Sequence, residues 1–365
     1  MRVFHISGDR YTELETLPDA LPPTGYLWVG TGRREFEAQL AELQTALQRW
    51  TGGQLVDLHV ADLRNNHLPS NYDYTSWYDL MVFRRLAAGA GSAEMFIDET
   101  RGTLSSARAA LEAIDTSPVG FALFDRVLLT VHPAECVVRD HFANRLQMQT
   151  QGGDVRASAR IPPNAADLML RMVNFMVDSY LDLRRLLTRQ LGYLQQQLFT
   201  PHGRYQNWQV LLESRNALHL LEDTCEDQRS AIVEWLDALD EWPQPSDDAA
   251  RREHEMLRVR SRDVLEHIER VLTHVRRLES AAETAVQMHF AAQSNRTNDI
   301  MRTLTVLTAI FLPLNLLTGF FGMNFDDLPL IHSVSGFWVV LLLMLALGVG
   351  LSVFFWRKRY LGRSR

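Results

Sequence analysis

Two long stretches without a charged side chain, residues 303–321 and 328–356, lie in the last fifth of this 365-residue sequence. The hydrocarbon core of a bilayer is about 30 Å thick, and a helix needs roughly 20 apolar residues to cross it. Each stretch is long enough, so the pattern predicts two transmembrane helices, at residues 303–321 and 336–356. Both lie near the C-terminal end of the sequence, so neither has the position of a signal peptide.

Basic residues around the two predicted spans indicate their orientation. The intervening loop, residues 322–335, contains neither Lys nor Arg, whereas the tail, residues 357–365, contains five basic residues, and Arg296 and Arg302 precede the first span. Basic residues are concentrated on the cytoplasmic side of membrane proteins. We therefore expect a multi-pass protein of the cell inner (plasma) membrane, in contact with lipid, with both termini in the cytoplasm and the loop outside.

The overall composition argues against several other classes of protein. The net charge of −7 disfavours a nucleic-acid partner. The two cysteines, Cys136 and Cys225, form neither a CxxC site nor a disulfide framework, so the soluble part is expected in a reducing compartment. We find no Gly-rich phosphate loop, HExxH motif or nucleophile elbow. The sequence therefore predicts neither an enzyme nor a bound cofactor.

Residues 1–162 alternate between short apolar runs and helical patterns, which predicts a cytoplasmic α/β domain. Helices are expected at residues 33–49 and 103–114, and a hairpin turn at residues 124–126. Residues 72–74 have the character of a loop. Runs rich in Val, Leu and Phe predict strands at residues 1–7, 26–31, 55–60, 80–83, 119–124 and 127–132.

From residue 163 the pattern becomes helical. A cytoplasmic helical region, residues 163–249, is predicted to contain helices at residues 165–199, 206–222 and 226–242. A stalk helix, residues 250–302, is then predicted to continue into the first span, because after Pro245 no proline occurs before Pro313 and no glycine before Gly319.

Apolar residues recur along the stalk in steps of four and three, a heptad seam. The preferred interpretation is self-association around an axis, because the seam continues into the membrane stretch. The alternative is packing against the preceding helices of the same chain. The seam consists of Val264, Ile268, Val271, Val275, Leu278, Ala282 and Ala285.

Polar residues gather on one face of the first span. Asn315 in mid-membrane is costly unless it is paired or faces water, so this face predicts either a helix–helix contact or a water-lined pore. Met301 and Leu312 on the same line fit either packing or a hydrophobic constriction that gates by dewetting. The face is formed by Asn298, Met301, Thr305, Thr308, Leu312, Asn315 and Gly319.

Two motifs bracket the first span: Ser294-Asn-Arg-Thr-Asn298 before it and Gly322-Met323-Asn324 after it. Placed in this way, they resemble the CorA family of magnesium, cobalt and nickel channels, closely over residues 260–360 and loosely before. The resemblance implies a homopentamer whose first span lines the pore and whose loop, residues 322–335, forms the outer mouth. Self-association and a divalent cation, as cargo and as regulator, are thus the expected partners.

The resemblance also assigns roles to residues. Asn324, present five times, would offer carboxamide oxygens to a hydrated ion, which suits Mg²⁺ because this ion dehydrates reluctantly. Leu312 stands where the family often has Met, and Asn315 where a pore-lining Thr is usual. Asp263 on the stalk matches a regulatory carboxylate, although a solvated Asp is the plain alternative. Asn298, Met301 and Leu304 match the inner pore and gate, Gly319 the narrow upper pore, and Gly322, Met323 and Asn324 the entrance.

Other functions remain open at this point. The zinc-transporting ZntB branch shares residues 312–314 and 317–319, but the loop carboxylates Asp326 and Asp327 are nearer to the magnesium branch. A non-conducting membrane scaffold is the third possibility. His267 and His274, seven residues apart, would suit either Zn²⁺ or solvent. An acidic stripe would be either a solvated face or a rim that concentrates cations; it consists of Asp223, Asp227, Glu234, Asp237 and Glu241.

Overall fold

The computed structural model describes residues 1–8, 10–88, 114–134, 136–150, 161–198, 206–243, 247–323 and 334–358. The chain divides into two compact units, Met1–Ala285 and Val286–Arg365. The strands are β1 (Arg2–Ser7), β2 (Arg10–Leu14), β3 (Tyr26–Gly32), β4 (Asn71–Tyr74), β5 (Asp79–Arg84), β6 (Ala87–Ala88), β7 (Ile114–Asp115), β8 (Pro118–Phe124) and β9 (Val127–His132). The helices are α1 (Arg33–Ala38), α2 (Leu40–Thr51), α3 (Asp57–Arg64), α4 (Val137–Thr150), α5 (Ala165–Asp178), α6 (Tyr180–Leu198), α7 (Gln206–Glu241), α8 (Asp248–Phe321) and α9 (Val334–Arg357).

A seven-stranded sheet forms the centre of the first unit, in the order β2-β1-β3-β9-β8-β5-β4. Only β3 and β9 pair in parallel; the other neighbours are antiparallel. Every residue of β3, β8 and β9 is buried. These strands are rich in apolar residues because both faces of the sheet are covered. Helices α1 to α3 contribute Phe36, Leu43, Leu47 and Leu63 to the core on one face, and α5 contacts β8 and β9.

Most of the predicted strands are confirmed. The runs at residues 1–7, 26–31, 80–83, 119–124 and 127–132 correspond to β1, β3, β5, β8 and β9, and the hairpin turn joins β8 to β9. The predicted helix at residues 33–49 is confirmed as two helices, α1 and α2. Residues 103–113 of the predicted helix at 103–114 lie outside the described residues.

Two predictions in this region were wrong. Residues 55–60 do not form a strand but lead into α3, where His59, Val60 and Leu63 are buried at helical spacing. A run of six residues that mixes apolar and polar side chains fits both the two-residue period of a strand and the 3.6-residue period of a helix. Its length does not distinguish the two. Residues 72–74 are not a loop but part of β4, an edge strand in which Tyr72 pairs with Met81.

In the helical region, the helices begin and end at different positions from those predicted. The helix predicted at residues 165–199 is interrupted at Ser179, whose Oγ donates to the Leu86 carbonyl at 3.1 Å. Conversely, the two helices predicted at 206–222 and 226–242 form one helix, α7. No proline or glycine separates them, so nothing in the backbone ends the helix.

The heptad seam packs inside the chain, so the preferred interpretation of self-association was wrong for these residues. Ile268, Val275 and Ala282 are fully buried within a single chain, and Val264 nearly so. The covering helices are α6 and α7. Gln195 Nε2 of α6 donates to the Ala281 carbonyl at 3.2 Å. The intramolecular alternative is therefore confirmed.

The second unit consists of the end of α8 and of α9. These are two helices long and apolar enough to cross a membrane, and they cover the predicted spans at residues 303–321 and 336–356. The structure thus matches the predicted fold class: an N-terminal α/β domain, a long helix and two apolar C-terminal helices.

Candidate ion pathway and cation sites

Within the second unit, one face of α8 packs against α9. Val306 is 2% exposed, and a Cβ added at Gly348 of α9 would lie 3.6 Å from Leu314 Cδ1. Small residues such as Gly348 allow two membrane helices to approach closely. The packed face of α8 is formed by Val306, Ile310, Pro313, Leu314 and Leu317.

The opposite face of α8 is exposed and carries the predicted pore residues. At about 100° per residue, its centre lies roughly 160° around the helix from the packed face. Eight predicted residues are brought together here: Asn298, Met301, Leu304, Thr305, Thr308, Leu312, Asn315 and Gly319.

The threonines on this face present oxygen atoms rather than hydroxyl protons. Thr305 Oγ1 donates to the Met301 carbonyl at 2.8 Å, and Thr308 Oγ1 donates to the Leu304 carbonyl at 2.9 Å. Each hydroxyl proton is therefore used within the helix, and the oxygen lone pairs remain as acceptors. Acceptors of this kind can hydrogen-bond the water molecules around a cation.

The helix ends at the predicted entrance motif. The Gly322 amide donates to the Thr318 carbonyl at 2.9 Å, and Met323 is half exposed. Asn324, Asp326 and Asp327 lie outside the described residues.

Asp263, the predicted regulatory ligand, is in the first unit with its side chain 60% exposed. His267 Nε2 lies 3.8 Å from Asp263 Oδ1, and His267 Nδ1 lies 3.3 Å from Asp178 Oδ1 of α5. The imidazole thus stands between two carboxylates. His274 engages other groups: its Nε2 lies 3.3 Å from Thr188 Oγ1 and its ring contacts Tyr180.

Neither interpretation of the two histidines fits this geometry. The two rings contact different residues, so they do not face one common metal position, and both are half-buried rather than solvent-facing. Burial lowers the pKa of His274, which favours its neutral form.

A cluster that sequence reasoning missed joins α7 to α8. His219 Nδ1 lies 3.9 Å from Glu222 Oε2 and 3.8 Å from Glu279 Oε1, and within the described residues these three form the one group spaced to hold a metal ion. Arg276 Nε donates to Glu222 Oε1 at 2.7 Å and lowers the pKa of Glu222, whereas burial raises the pKa of Glu279. The arginine already neutralises one carboxylate. No local motif predicts this meeting of two distant segments.

The acidic stripe on α7 is mostly solvated. Asp223, Glu234, Asp237 and Glu241 are exposed, as the plain alternative predicts. Asp227 is half-buried, and burial raises the pKa of its carboxyl group.

Comparison with known proteins places the chain in a family. The family model described as CorA-like Mg²⁺ transporter protein matches residues 93–359, well over half of the chain. The cobalt/magnesium transport protein CorA of Thermotoga maritima is 32% identical over 100 residues, which are 27% of this chain and 28% of that protein. The putative metal ion transporter YfjQ of Bacillus subtilis is 48% identical over 65 residues, 18% of this chain and 20% of that protein.

The alignments thus span less than a third of these curated relatives' own lengths. The complete structure of the CorA magnesium transporter from Methanocaldococcus jannaschii superimposes with a TM-score of 0.69 at 16% identity and covers 98% of both chains, which shows that the two share a fold. Taken with the family match over residues 93–359, this places the protein in the CorA-like Mg²⁺ transporter family.

Proposed function

We propose that this protein is a divalent metal cation channel of the CorA type that moves Mg²⁺, and with it Co²⁺ or Ni²⁺, through a homopentameric pore. The observation that carries the proposal is the exposed polar face of α8 opposite its contact with α9. An asparagine facing lipid is costly, so this face must meet water or other copies of the chain. Two helices cannot enclose a pore, and several copies around an axis satisfy both requirements.

The mechanism follows from the chemistry of the face. Mg²⁺ keeps its water molecules, so it is best recognised through its hydration shell. A ring of Asn324 oxygens at the outer mouth would select the hydrated ion. Thr305, Thr308 and Asn315 would then hydrogen-bond its waters in transit. Met301 and Leu304 would form an apolar gate that closes by dewetting.

The same proposal includes location and control. The protein would lie in the cell inner membrane with both termini in the cytoplasm, as the basic residues beside the spans indicate. Asp263, flanked by His267, would bind a cytoplasmic cation and favour the closed state. The relatives named for cobalt and magnesium transport support the choice of cation.

Gly319 offers a direct test. In a single chain, a Cβ added at Gly319 meets nothing within 4 Å, and the same holds for Gly350 on α9. Leucine is a good helix former, so both Gly319→Leu and Gly350→Leu should leave the protomer folded. If Gly319 faces the axis, five leucines will obstruct the pore, and uptake will fall to near background only in Gly319→Leu.

The assay is uptake of Mg²⁺, Co²⁺, Ni²⁺ and Zn²⁺ into liposomes, with oligomer mass measured in detergent. Wild-type uptake by Gly319→Leu would place Gly319 away from the pathway. A pentamer that conducts none of the four ions would favour the non-conducting scaffold, and a preference for Zn²⁺ would favour the ZntB-like alternative.

A further inference from the structure

The first unit contains a cavity of about 600 Å³ that the proposed transport function does not use. It lies among the β4–β5 turn, the β8–β9 turn and the end of α7. Six aromatic rings and three carboxylates line it, and among the described residues that line it none is basic. A cavity of this size, with walls formed mainly by aromatic and other apolar residues and a smaller number of polar groups, is typical of a small-molecule site.

Two large aromatic rings are held at the mouth although they are exposed. Tyr74 is 65% exposed and Trp77 is 58% exposed. The backbone around Trp77 is fixed by Thr75, whose Oγ1 accepts from the Trp77 amide at 3.2 Å and from the Tyr78 amide at 3.1 Å. The Trp77 ring also lies against Gly53, where an added Cβ would be 2.9 Å from Trp77 Cγ. This ring is therefore positioned by its neighbours rather than loose.

A row of rings in contact runs from the mouth of the cavity behind its wall. Tyr72 stacks with Tyr74 at 6.4 Å and meets Trp235 edge-on at 6.0 Å, and Trp235 meets Trp242 at 5.6 Å. Trp235 is fully buried, and its Nε1 donates to Ser261 Oγ at 2.9 Å. The anchored Trp235 thus sets the position of Trp242 in the cavity wall.

The carboxylates of the cavity are Asp79, Asp125 and Glu241. Asp79 accepts a hydrogen bond of 2.6 Å from the Tyr72 hydroxyl. The guanidinium of the neighbouring Arg126 donates to the carbonyls of Gly25 and Pro22, and among the described residues no ion pair joins it to Asp125. The cavity therefore combines negative charge with aromatic faces.

We propose that this cavity binds a small organic cation that carries an alkylated ammonium group. The negative faces of aromatic rings attract such a cation, and the carboxylates supply the counter-charge. A hydrated Mg²⁺ ion is a poorer occupant, because it dehydrates reluctantly and its water shell keeps it away from the ring faces, whereas an alkylated ammonium ion can lie directly against them. A basic side chain from a second copy of this chain is the competing occupant.

Choline and its uncharged isostere 3,3-dimethylbutan-1-ol separate charge from shape. Binding to the full-length protein in detergent is measured by calorimetry and by tryptophan fluorescence, since Trp77 and Trp242 line the cavity. We expect choline to bind at least about tenfold more tightly than the isostere, which corresponds to a cation–π contribution of about 1.4 kcal/mol or more.

Variants identify the site. Glu241→Gln and Asp125→Asn should weaken choline binding, and Trp77→Leu should weaken it and reduce the fluorescence change. Glu234→Gln is the matched control, because Glu234 is also exposed on α7 but does not line the cavity. Glu241 and Glu234 are both exposed, so either can be changed without disturbing a packed core.

Several results would overturn the proposal. Equal affinity for choline and the isostere would indicate a merely apolar cavity, and binding that survives all three variants would place the site elsewhere. Displacement of choline by equimolar Mg²⁺ would indicate a metal site. If neither probe binds and Trp77→Leu changes the oligomer mass, a second copy covers the mouth and the organic-cation site does not exist.

Discussion

Replacing Ile268 with alanine tests whether the apolar seam of α8 stabilises the protomer or joins copies of it. Ile268 is fully buried within a single chain. Truncation of such a residue removes its buried methyl groups and leaves a cavity, which typically costs about 2–5 kcal/mol. Val259 on the same helix is 56% exposed, so Val259→Ala should change stability by less than about 0.5 kcal/mol.

The assay is thermal unfolding of the purified full-length protein, read together with oligomer mass at a temperature below the transition. With an unfolding entropy of about 2.1 cal/mol/K per residue, 1 kcal/mol shifts the Tm of a unit the size of Met1–Ala285 by about 1.7 °C, so Ile268→Ala should lower Tm by at least about 3 °C. The oligomer mass should not change. A variant that keeps the wild-type Tm but dissociates would refute the intramolecular packing and restore the seam as an interface between copies.

Three further predictions concern transport and pH. Asn324→Ala should abolish Mg²⁺ uptake into liposomes while oligomer mass stays unchanged; wild-type uptake would show that the loop does not select the ion. Asp263→Asn should weaken both the inhibition of uptake by millimolar Mg²⁺ and the thermal stabilisation by Mg²⁺, because a ligand of the closed state stabilises it by mass action; Glu266→Gln, also exposed on α8, is the control. Burial lowers the pKa of His132 to about 3, from an ordinary value near 6.5. The unfolded chain therefore binds a proton that the folded chain excludes, and stability is lost as pH falls from about 6.5 towards 3. His132→Gln should flatten the fall of Tm over this range, and an unchanged slope would contradict the assignment.

The central strands were predictable because burial on both faces leaves a plain signature. β3, β8 and β9 are short segments rich in apolar residues that no helical period explains. α3 was mistaken for a strand because its first turn exposes Val56 and Leu58, both apolar, to solvent. The helical spacing becomes plain only with Leu63, which lies beyond residues 55–60. β4 was not predicted because an edge strand of four residues has little apolar pattern of its own.

The polar face of α8 and the aromatic cavity also differ in how far they could be predicted from the sequence. The polar face of the first span could be predicted because its residues share one helix and a helical period links them directly. The cavity could not, because Tyr74, Asp125 and Trp242 come from three elements far apart in the sequence. Each residue alone has an ordinary explanation, as part of a turn or of a helix end. The pairing of β5 with β8 brings the β4–β5 and β8–β9 turns together, and the contact of α7 with β4 and β5 brings Trp242 to the same place.

The spacing of similar residues shows which face of a helix they share. Whether that face becomes covered by protein depends on the surrounding medium, water or lipid. In the first unit, water surrounds α8, so the hydrophobic effect draws its apolar seam onto α6 and α7 of the same chain. In a membrane, lipid tails are as apolar as leucine, so an apolar face gains little from a protein partner. The face that requires a partner there is the polar one, with Asn298, Thr308 and Asn315. The seam and the polar face of α8 follow the same three- and four-residue steps. We therefore expect changes in the seam to affect protomer stability, and changes in the polar face to affect assembly and ion flux.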